Sequence, residues 1–319
     1  MNTYVGLDVA KATLAVCLLG PDSQTARADF DNSAAGHRKL RKWVGAHAPG
    51  EPVRYCLEAT GGYGEALAQH LAAAGELVSV VNPARIKQFA RSQGRRNKTD
   101  RIDAQVIAEY ARAMQPPPWR PPSPQLRELT ALLRRLDDME QQRQREQVRL
   151  QEPGAPALVR RSLQKSLRFL AREIADLERR IGDHIGCHPD LQEKKRLLET
   201  IPGIADKTAL WFLVVLRSDS AFSSGEALAA FLGLTPQRRE SGTSLRGRSR
   251  IGKGGGRPLR RTLYWAALSA QRHNPLVREF CRRLTANGKS KMAVLIAAMR
   301  KLVLIAYGVL RTRTAFSCT

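Results

Sequence analysis

Apolar positions alternate with small or polar ones from the start of the chain. Val5, Leu7 and Val9 fall on one face of an extended run over 4–9, and Thr13–Leu19 forms a second apolar run after the Ala10-Lys11-Ala12 turn. A weaker strand is predicted over 26–31. Asn32-Ser33 has the chemistry of a helix start, and the spacing beyond it predicts a helix over 34–48. A strand over Val53–Glu58, a helix over 63–74 ended by Gly75, and a strand over Leu77–Val81 stopped by Pro83 complete the pattern. Three strands, a helix, then alternating strand and helix is the element order of a ribonuclease-H-like sheet. The prolines Pro116-Pro117-Pro118, Pro121, Pro122 and Pro124 close this unit, residues 1–118, as a stiff linker.

The period then changes. Leu163, Leu167, Leu170, Ile174, Leu177, Ile181 and Ile185 recur at steps of four and three between charged flanks, which is a heptad seam. An earlier helical stretch, from Leu126 towards Leu150, is rich in Gln and Arg. Pro153-Gly154-Ala155-Pro156 lets the two fold back as an antiparallel hairpin. Residues 119–190 therefore read as a coiled-coil arm, and both an oligomerisation device and a long intramolecular helix pair satisfy the pattern. Residues 191–319 form a third unit, helical and basic. In it Ile201-Pro202-Gly203-Ile204 fits either a helix-hairpin-helix turn that offers backbone N–H groups to a phosphate or an ordinary turn between helices. The expected fold class is α/β plus α.

Charge narrows the function. The 319 residues hold 53 Lys and Arg against 29 Asp and Glu, a formal charge of +24, which points to nucleic acid or an anionic membrane surface. The longest apolar stretch, 292–310, is interrupted by Arg300-Lys301 and reads as a buried core helix rather than a span, so no membrane partner is expected. No basic-then-apolar leader precedes Tyr4. The five cysteines (Cys17, Cys56, Cys187, Cys281 and Cys318) have neither zinc spacing nor a disulfide framework, and a reducing cytoplasm is the expected location.

Within this basic chain four acids stand out. Asp8 interrupts the first strand, Glu58 ends the strand before Ala59-Thr60-Gly61-Gly62, and Asp100 and Asp103 are three apart, on one helix face. A lone one of these, Asp103 above all, reads as a solvated surface charge. An acid inside an apolar strand, as at Asp8, is costly unless paired or bound to metal. Together the four suggest a Mg²⁺ site acting on a phosphodiester. Seven bases lie beside Asp100: Arg85, Lys87, Arg91, Arg95, Arg96, Lys98 and Arg101. They read as a phosphate-tracking strip. A second basic segment carries Arg238, Arg239, Arg246, Arg248, Arg250, Lys253, Arg257, Arg260 and Arg261 against one acid, Glu240. Of its serines, Ser241 has the best claim as nucleophile, because pliant Gly242 follows and arginines flank it; Ser244 and Ser249 read as phosphate contacts. The stretch 247–254 nearly spells a nucleotide-binding phosphate loop, but Gly254 lacks the required hydroxyl and no apolar strand precedes it. The six histidines show no metal-ligand spacing.

In order along the chain stand Gly6-Leu7-Asp8-Val9-Ala10-Lys11, Leu57-Glu58-Ala59-Thr60-Gly61, Asn97-Lys98-Thr99-Asp100-Arg101-Ile102-Asp103-Ala104, Ile201-Pro202-Gly203-Ile204, Gly233-Leu234-Thr235-Pro236 and Glu240-Ser241-Gly242. Over nearly its whole length the chain resembles the DEDD-type insertion-sequence transposases, the bridge-RNA-guided recombinases related to pilin-gene invertases. The resemblance implies a RuvC-like N-terminal domain over 1–118. Its acids Asp8, Glu58, Asp100 and Asp103 would hold Mg²⁺, and the helical transposase domain over 191–319 would carry the nucleophile Ser241. It further implies a homotetramer with sites shared between chains. Its partners would be donor and target double-stranded DNA and a structured non-coding guide RNA. A covalent 5′-phosphoserine would conserve the phosphodiester energy in a chain with no nucleotide motif, and base pairing would supply sequence choice. Arg95, Arg96, Lys98, Arg238, Arg239, Arg246, Arg248, Arg250 and Lys253 are the expected phosphate contacts. The rivals are a RuvC-like structure-specific endonuclease without a covalent adduct, an actin-like ATPase, whose second glycine-rich phosphate loop is not visible, and a nucleic-acid-binding accessory without chemistry.

Overall fold

The computed structural model describes residues 2–21, 24–59, 62–94, 100–216, 222–237, 240–241, 245–246, 250–252 and 257–317; at 100, 101, 237, 240, 241, 245, 246, 250 and 251 it describes backbone alone. These residues form two compact units, Met1–Pro121 and Pro122–Thr319.

The first unit runs β1 (Thr3–Val9), β2 (Thr13–Leu19), β3 (Thr25–Asp31), α1 (Ala34–His47), β4 (Val53–Glu58), α2 (Glu65–Ala73), β5 (Leu77–Val81), α3 (Pro83–Ser92) and α4 (Asp100–Met114). The strands make one mixed sheet in the order β3-β2-β1-β4-β5. β1–β2 and β2–β3 are antiparallel hairpin pairs, whereas β1–β4 and β4–β5 are parallel and need crossover helices. Strand alternation divides the core between the two faces. Val5, Leu7, Val9, Leu14, Val16, Tyr55 and Leu57 pack against Leu40 and Val44 of α1 and Leu67 and Leu71 of α2. Tyr4 and Cys56 lie on the other face with Ile86 of α3 and Ile107 and Tyr110 of α4, and Ala15 and Cys17 meet Ala104 and Ala108. Each buried Leu or Val contributes about 1.5–3 kcal/mol.

Both sheet edges are protected. β3 turns Arg27, Asp29 and Asp31 to solvent. Against β5 the proline segment does more than link: Trp119 N–H donates to Val78 O at 2.6 Å, and Ser79 Oγ donates to Pro116 O at 2.9 Å. Proline has no N–H of its own to satisfy, so its carbonyls serve as acceptors here.

The second unit contains α5 (Pro124–Gln151), α6 (Ala157–Gly186), α7 (Pro189–Glu199), α8 (Asp206–Leu216), α9 (Gly225–Phe231), α10 (Arg257–His273), α11 (Pro275–Ala286) and α12 (Lys291–Thr312). Four two-residue strands lie between α9 and α10: β6 (Pro236–Gln237), β7 (Glu240–Ser241), β8 (Leu245–Arg246) and β9 (Arg250–Ile251). α5 and α6 pair antiparallel, with His184 Nε2 near the end of α6 bonded to Gln125 O at the start of α5 (3.0 Å). All seven heptad-seam residues of α6 are buried or half-buried. The inner end of this hairpin, with Leu129, Leu133, Ile181 and Ile185, shares one core with α7 to α12. Val148 and Leu158 near its outer end, and Phe169 midway along α6, are exposed. α12 has the length and hydropathy of a membrane span, yet Val294, Ala298, Leu302, Val303 and Ala306 are buried in the unit's core.

The turn before α8 is a packing turn. Gly203 has φ +104°, and a Cβ there would stand 2.7 Å from Ala270 Cβ and 2.8 Å from Ala266 O of α10. Ile201 and Ile204 on either side are buried, and Asn274 Nδ2 donates to Pro202 O at 3.3 Å. Of the two sequence readings, the turn between helices is the one that matches this packing.

Candidate active site

β1 and β4 lie side by side in parallel, with Gly6 opposite Cys56 and Leu7 opposite Leu57. One residue further along each strand, Asp8 and Glu58 reach the same carboxyl edge of the sheet. Asp8 shares its face with Tyr4 and Gly6, and Glu58 shares that face with Cys56. Both acids are half-buried; Asp8 is the one position in β1 that is not fully enclosed.

The helix that brings the other acids sits on this same face. A Cβ on Gly6 would fall 2.1 Å from Ala104 O and 2.4 Å from Ala108 N, so glycine is what lets the α4 backbone lie directly on β1. Ala15, the β2 partner of Asp8, packs with Ala104 as well. Asp103, half-buried, immediately precedes Ala104, and Asp100 opens the helix one turn earlier. Acids in a first turn also complement the helix dipole. Strand register and one glycine therefore direct Asp8, Glu58 and the start of α4 to one end of one face.

Electrostatics mark the same place. Burial, and secondarily the Glu58 carboxylate, push the Cys56 thiol up to about 12, so it stays protonated and chemically quiet. The loops behind the acids are held by a network that sequence reasoning missed. Asn32 Nδ2 donates to Ala10 O (2.9 Å) and to Tyr63 O (3.1 Å), tying together the loop after Asp8 and the loop after Glu58. With its amide so used, Asn32 Oδ1 accepts from His37 Nε2 (2.9 Å). His37 is buried beside His70, and burial, then the His70 charge, hold its pKa below the ordinary 6.5. Asn32-Ser33 reads in sequence only as a helix start; Ser33 is that cap, accepting from Gly36 N–H at 3.2 Å, while Asn32 has the second task.

Among the described residues, no three acid, thiol or imidazole groups lie close enough to hold one ion. Asp100 enters that description by its backbone only. The donor chemistry itself, carboxylate oxygen throughout, fits a hard cation of the Mg²⁺ class.

The serine segment is a small two-tier ladder. β6 pairs with β9, Pro236 opposite Ile251, and inside it β7 pairs with β8, Ser241 opposite Leu245. Its root is fixed: Gly252 N–H donates to Gly233 O at 3.0 Å, and Arg260 Nη1 donates to Leu232 O at 3.0 Å. Arg260 and Arg261, read from sequence as part of the basic strip, thus have protein partners, Arg261 pairing with buried Asp137. Arg85, Lys87 and Arg91 are exposed on α3. Arg95, Arg96, Lys98, Arg238, Arg239, Arg248 and Lys253 lie outside the described residues, and Arg246 and Arg250 are described by backbone alone.

Two family models match the chain. Residues 5–153 match the DEDD transposase model of IS110 type, and residues 195–282 match the model described as transposase IS116/IS110/IS902 family. The chain is 35% identical over 318 residues to the pilin gene-inverting proteins of Moraxella lacunata and Moraxella bovis, covering 99% of this chain and 98% of theirs. It is 28% identical over 163 residues to the insertion element IS110 uncharacterized 43.6 kDa protein of Streptomyces coelicolor, covering 51% of this chain and 39% of that protein. A strongly basic chain, matched by relatives along its full length and by these two models over both of its units, belongs to the IS116/IS110/IS902 family of transposases.

Proposed function

We propose that this DNA transposase exchanges strands at specific sites through a Mg²⁺-dependent reaction in which Ser241 becomes transiently linked to a 5′-phosphate. The observation that carries the reading is the convergence of Asp8, Glu58 and the start of α4 on one end of one sheet face. The strand order β3-β2-β1-β4-β5 supports a RuvC-like, ribonuclease-H-type reading of the first unit. The full-length match to pilin gene-inverting proteins supports inversion or insertion of a DNA segment as the outcome.

Asp8, Glu58, Asp100 and Asp103 would hold the metal, which supplies charge neutralisation at a phosphodiester and lowers the cost of ionising a hydroxyl. Ser241 Oγ attacks phosphorus, the bond from phosphorus to the 3′-oxygen breaks, and that oxygen leaves as a 3′-hydroxyl after taking up a proton. Attack by the 3′-hydroxyl of another strand reverses the step and releases Ser241, so one phosphodiester is made for each broken. Asn32 keeps the loops behind Asp8 and Glu58 in register. Basic side chains at 95–98 and 238–253 contact donor and target DNA and a structured guide RNA, which leaves sequence choice to base pairing. A homotetramer with shared sites, a cytoplasmic location and three functional segments (1–118, 119–190, 191–319) belong to the same proposal.

Labelled DNA incubated with protein and Mg²⁺, then denatured, should yield a protein–DNA adduct that is absent with Ser241→Ala and absent in chelator. Normal recombination by Ser241→Ala would remove the serine from the mechanism. Cleavage without any adduct would favour a water nucleophile, as in structure-specific endonucleases. Alanine at any one of the four acids should abolish cleavage while RNA binding persists, because each removes a single negative charge from a surface that is otherwise strongly positive.

A further inference from the structure

The second unit holds a cavity of about 480 Å³ at the root of the serine ladder, lined by Leu234, Arg257, Arg261, Tyr264, Trp265 and Met299 among others. Trp265 keeps 69% of its surface exposed and Tyr264 36%, on a chain with only 6% aromatic residues. The two rings meet edge to face with centroids 5.3 Å apart, a contact that fixes their orientation without covering them. Arg257 and Arg261 stand on the same exposed stripe of α10, and the four steps from Arg261 to Trp265 span about 6 Å of helix. Arg261 is held in place: buried Asp137 accepts from it, and Gln141 Nε2 donates to the other Asp137 oxygen at 2.7 Å. That pairing anchors the guanidinium and neutralises the one acid lining the cavity.

We infer that this cavity takes an unpaired nucleotide, the base stacking on Trp265 against Tyr264 and the flanking phosphate lying on Arg257 and Arg261. An exposed aromatic beside two arginines, one of them anchored, is the chemistry that recognises single-stranded nucleic acid, since every base offers a π-face and every step a phosphate. An apolar protein partner would leave the Arg257 charge facing it. The site rests on the reading that the serine ladder acts on a DNA strand.

The test uses the full-length protein carrying Ser241→Ala, in chelator, so that the outcome is independent of whether the serine is the nucleophile. Binding of short unpaired oligonucleotides, in deoxy and ribo forms, is measured by fluorescence anisotropy beside an intact duplex. Trp265→Ala should weaken unpaired strands about 5- to 150-fold and duplex by less than about twofold. Trp265→Phe should retain most of the affinity, which excludes a folding defect as the cause. The oligonucleotide form that loses affinity identifies the source, a DNA strand or an RNA. Equal affinity of Trp265→Ala for unpaired strands, or equal loss for strands and duplex, overturns the inference.

Discussion

Gly6 is the point at which the fold seats α4 on β1, and Gly6→Ala tests what that seating does for the proposed acid site. The added Cβ would stand 2.1 Å from Ala104 O and 2.4 Å from Ala108 N, both backbone atoms that cannot swing aside. Ordinary contact begins near 3.4 Å, so α4 must lift from β1 by about 1.3 Å. Ala104, Ile107 and Ala108 are fully enclosed beneath that helix, and prying them off their seat costs about 1–3 kcal/mol in overpacking. The same lift displaces Asp103 and Asp100 relative to Asp8, and a misplacement of roughly 1 Å costs on the order of a hundredfold in rate. Urea unfolding should show the lowered midpoint, and strand exchange on a labelled substrate should show the lost rate. Removing a neighbouring methyl by Ala108→Gly should not rescue Gly6→Ala, because the two tightest contacts are to backbone. A Gly6→Ala protein with unchanged midpoint and unchanged exchange would refute the reasoning.

Asn32→Ala removes the donor to Ala10 O and Tyr63 O and the acceptor for His37; it should lower stability by about 1–3 kcal/mol and reduce exchange further than stability alone explains, measured by unfolding and activity on the same preparation. His37 binds its proton more weakly when folded than its ordinary 6.5, so between those values the unfolded chain takes up the proton and the folded chain does not. Stability should therefore be full above pH 6.5 and fall as pH drops through that window, and His37→Gln should flatten the profile followed by circular dichroism. Gly203→Ala, at φ +104° and pressed on Ala266 and Ala270, should destabilise the second unit by at least about 2 kcal/mol without changing activity per folded molecule, read by thermal melting and active-fraction titration.

The sheet was legible because strand alternation and hairpin spacing are local: Thr13–Leu19, Val53–Glu58 and Leu77–Val81 stand where the pattern placed them. Asp8 stood out because a charge in an apolar strand contradicts its surroundings, and Glu58 because it ends a strand just before a glycine pair. The heptad seam on α6 was legible too, but whether its partner was α5 or another chain depended on residues more than forty positions away, Gln125 and His184 among them. Asn32 was half-read, since capping chemistry is local while its two carbonyl partners come from loops 22 and 31 residues away. Trp265 was invisible for a similar reason. A Trp in an amphipathic helix reads as core, and only the packing of Ala266, Ala267 and Ala270 inward shows that it faces out. The turn at Gly203 remained open because a glycine that admits a phosphate and one that admits a helix are written with the same letter.

Helix α4 sits last among the elements that build the acid face, about a hundred residues after the strand it covers. During synthesis the ribosome releases Asp8 long before it releases Asp103. Until residues 100–114 have emerged and settled on Gly6, the nascent chain holds two acids of four at an uncovered sheet. Chain order thus leaves this face of the sheet incomplete until residues 100–114 have been made.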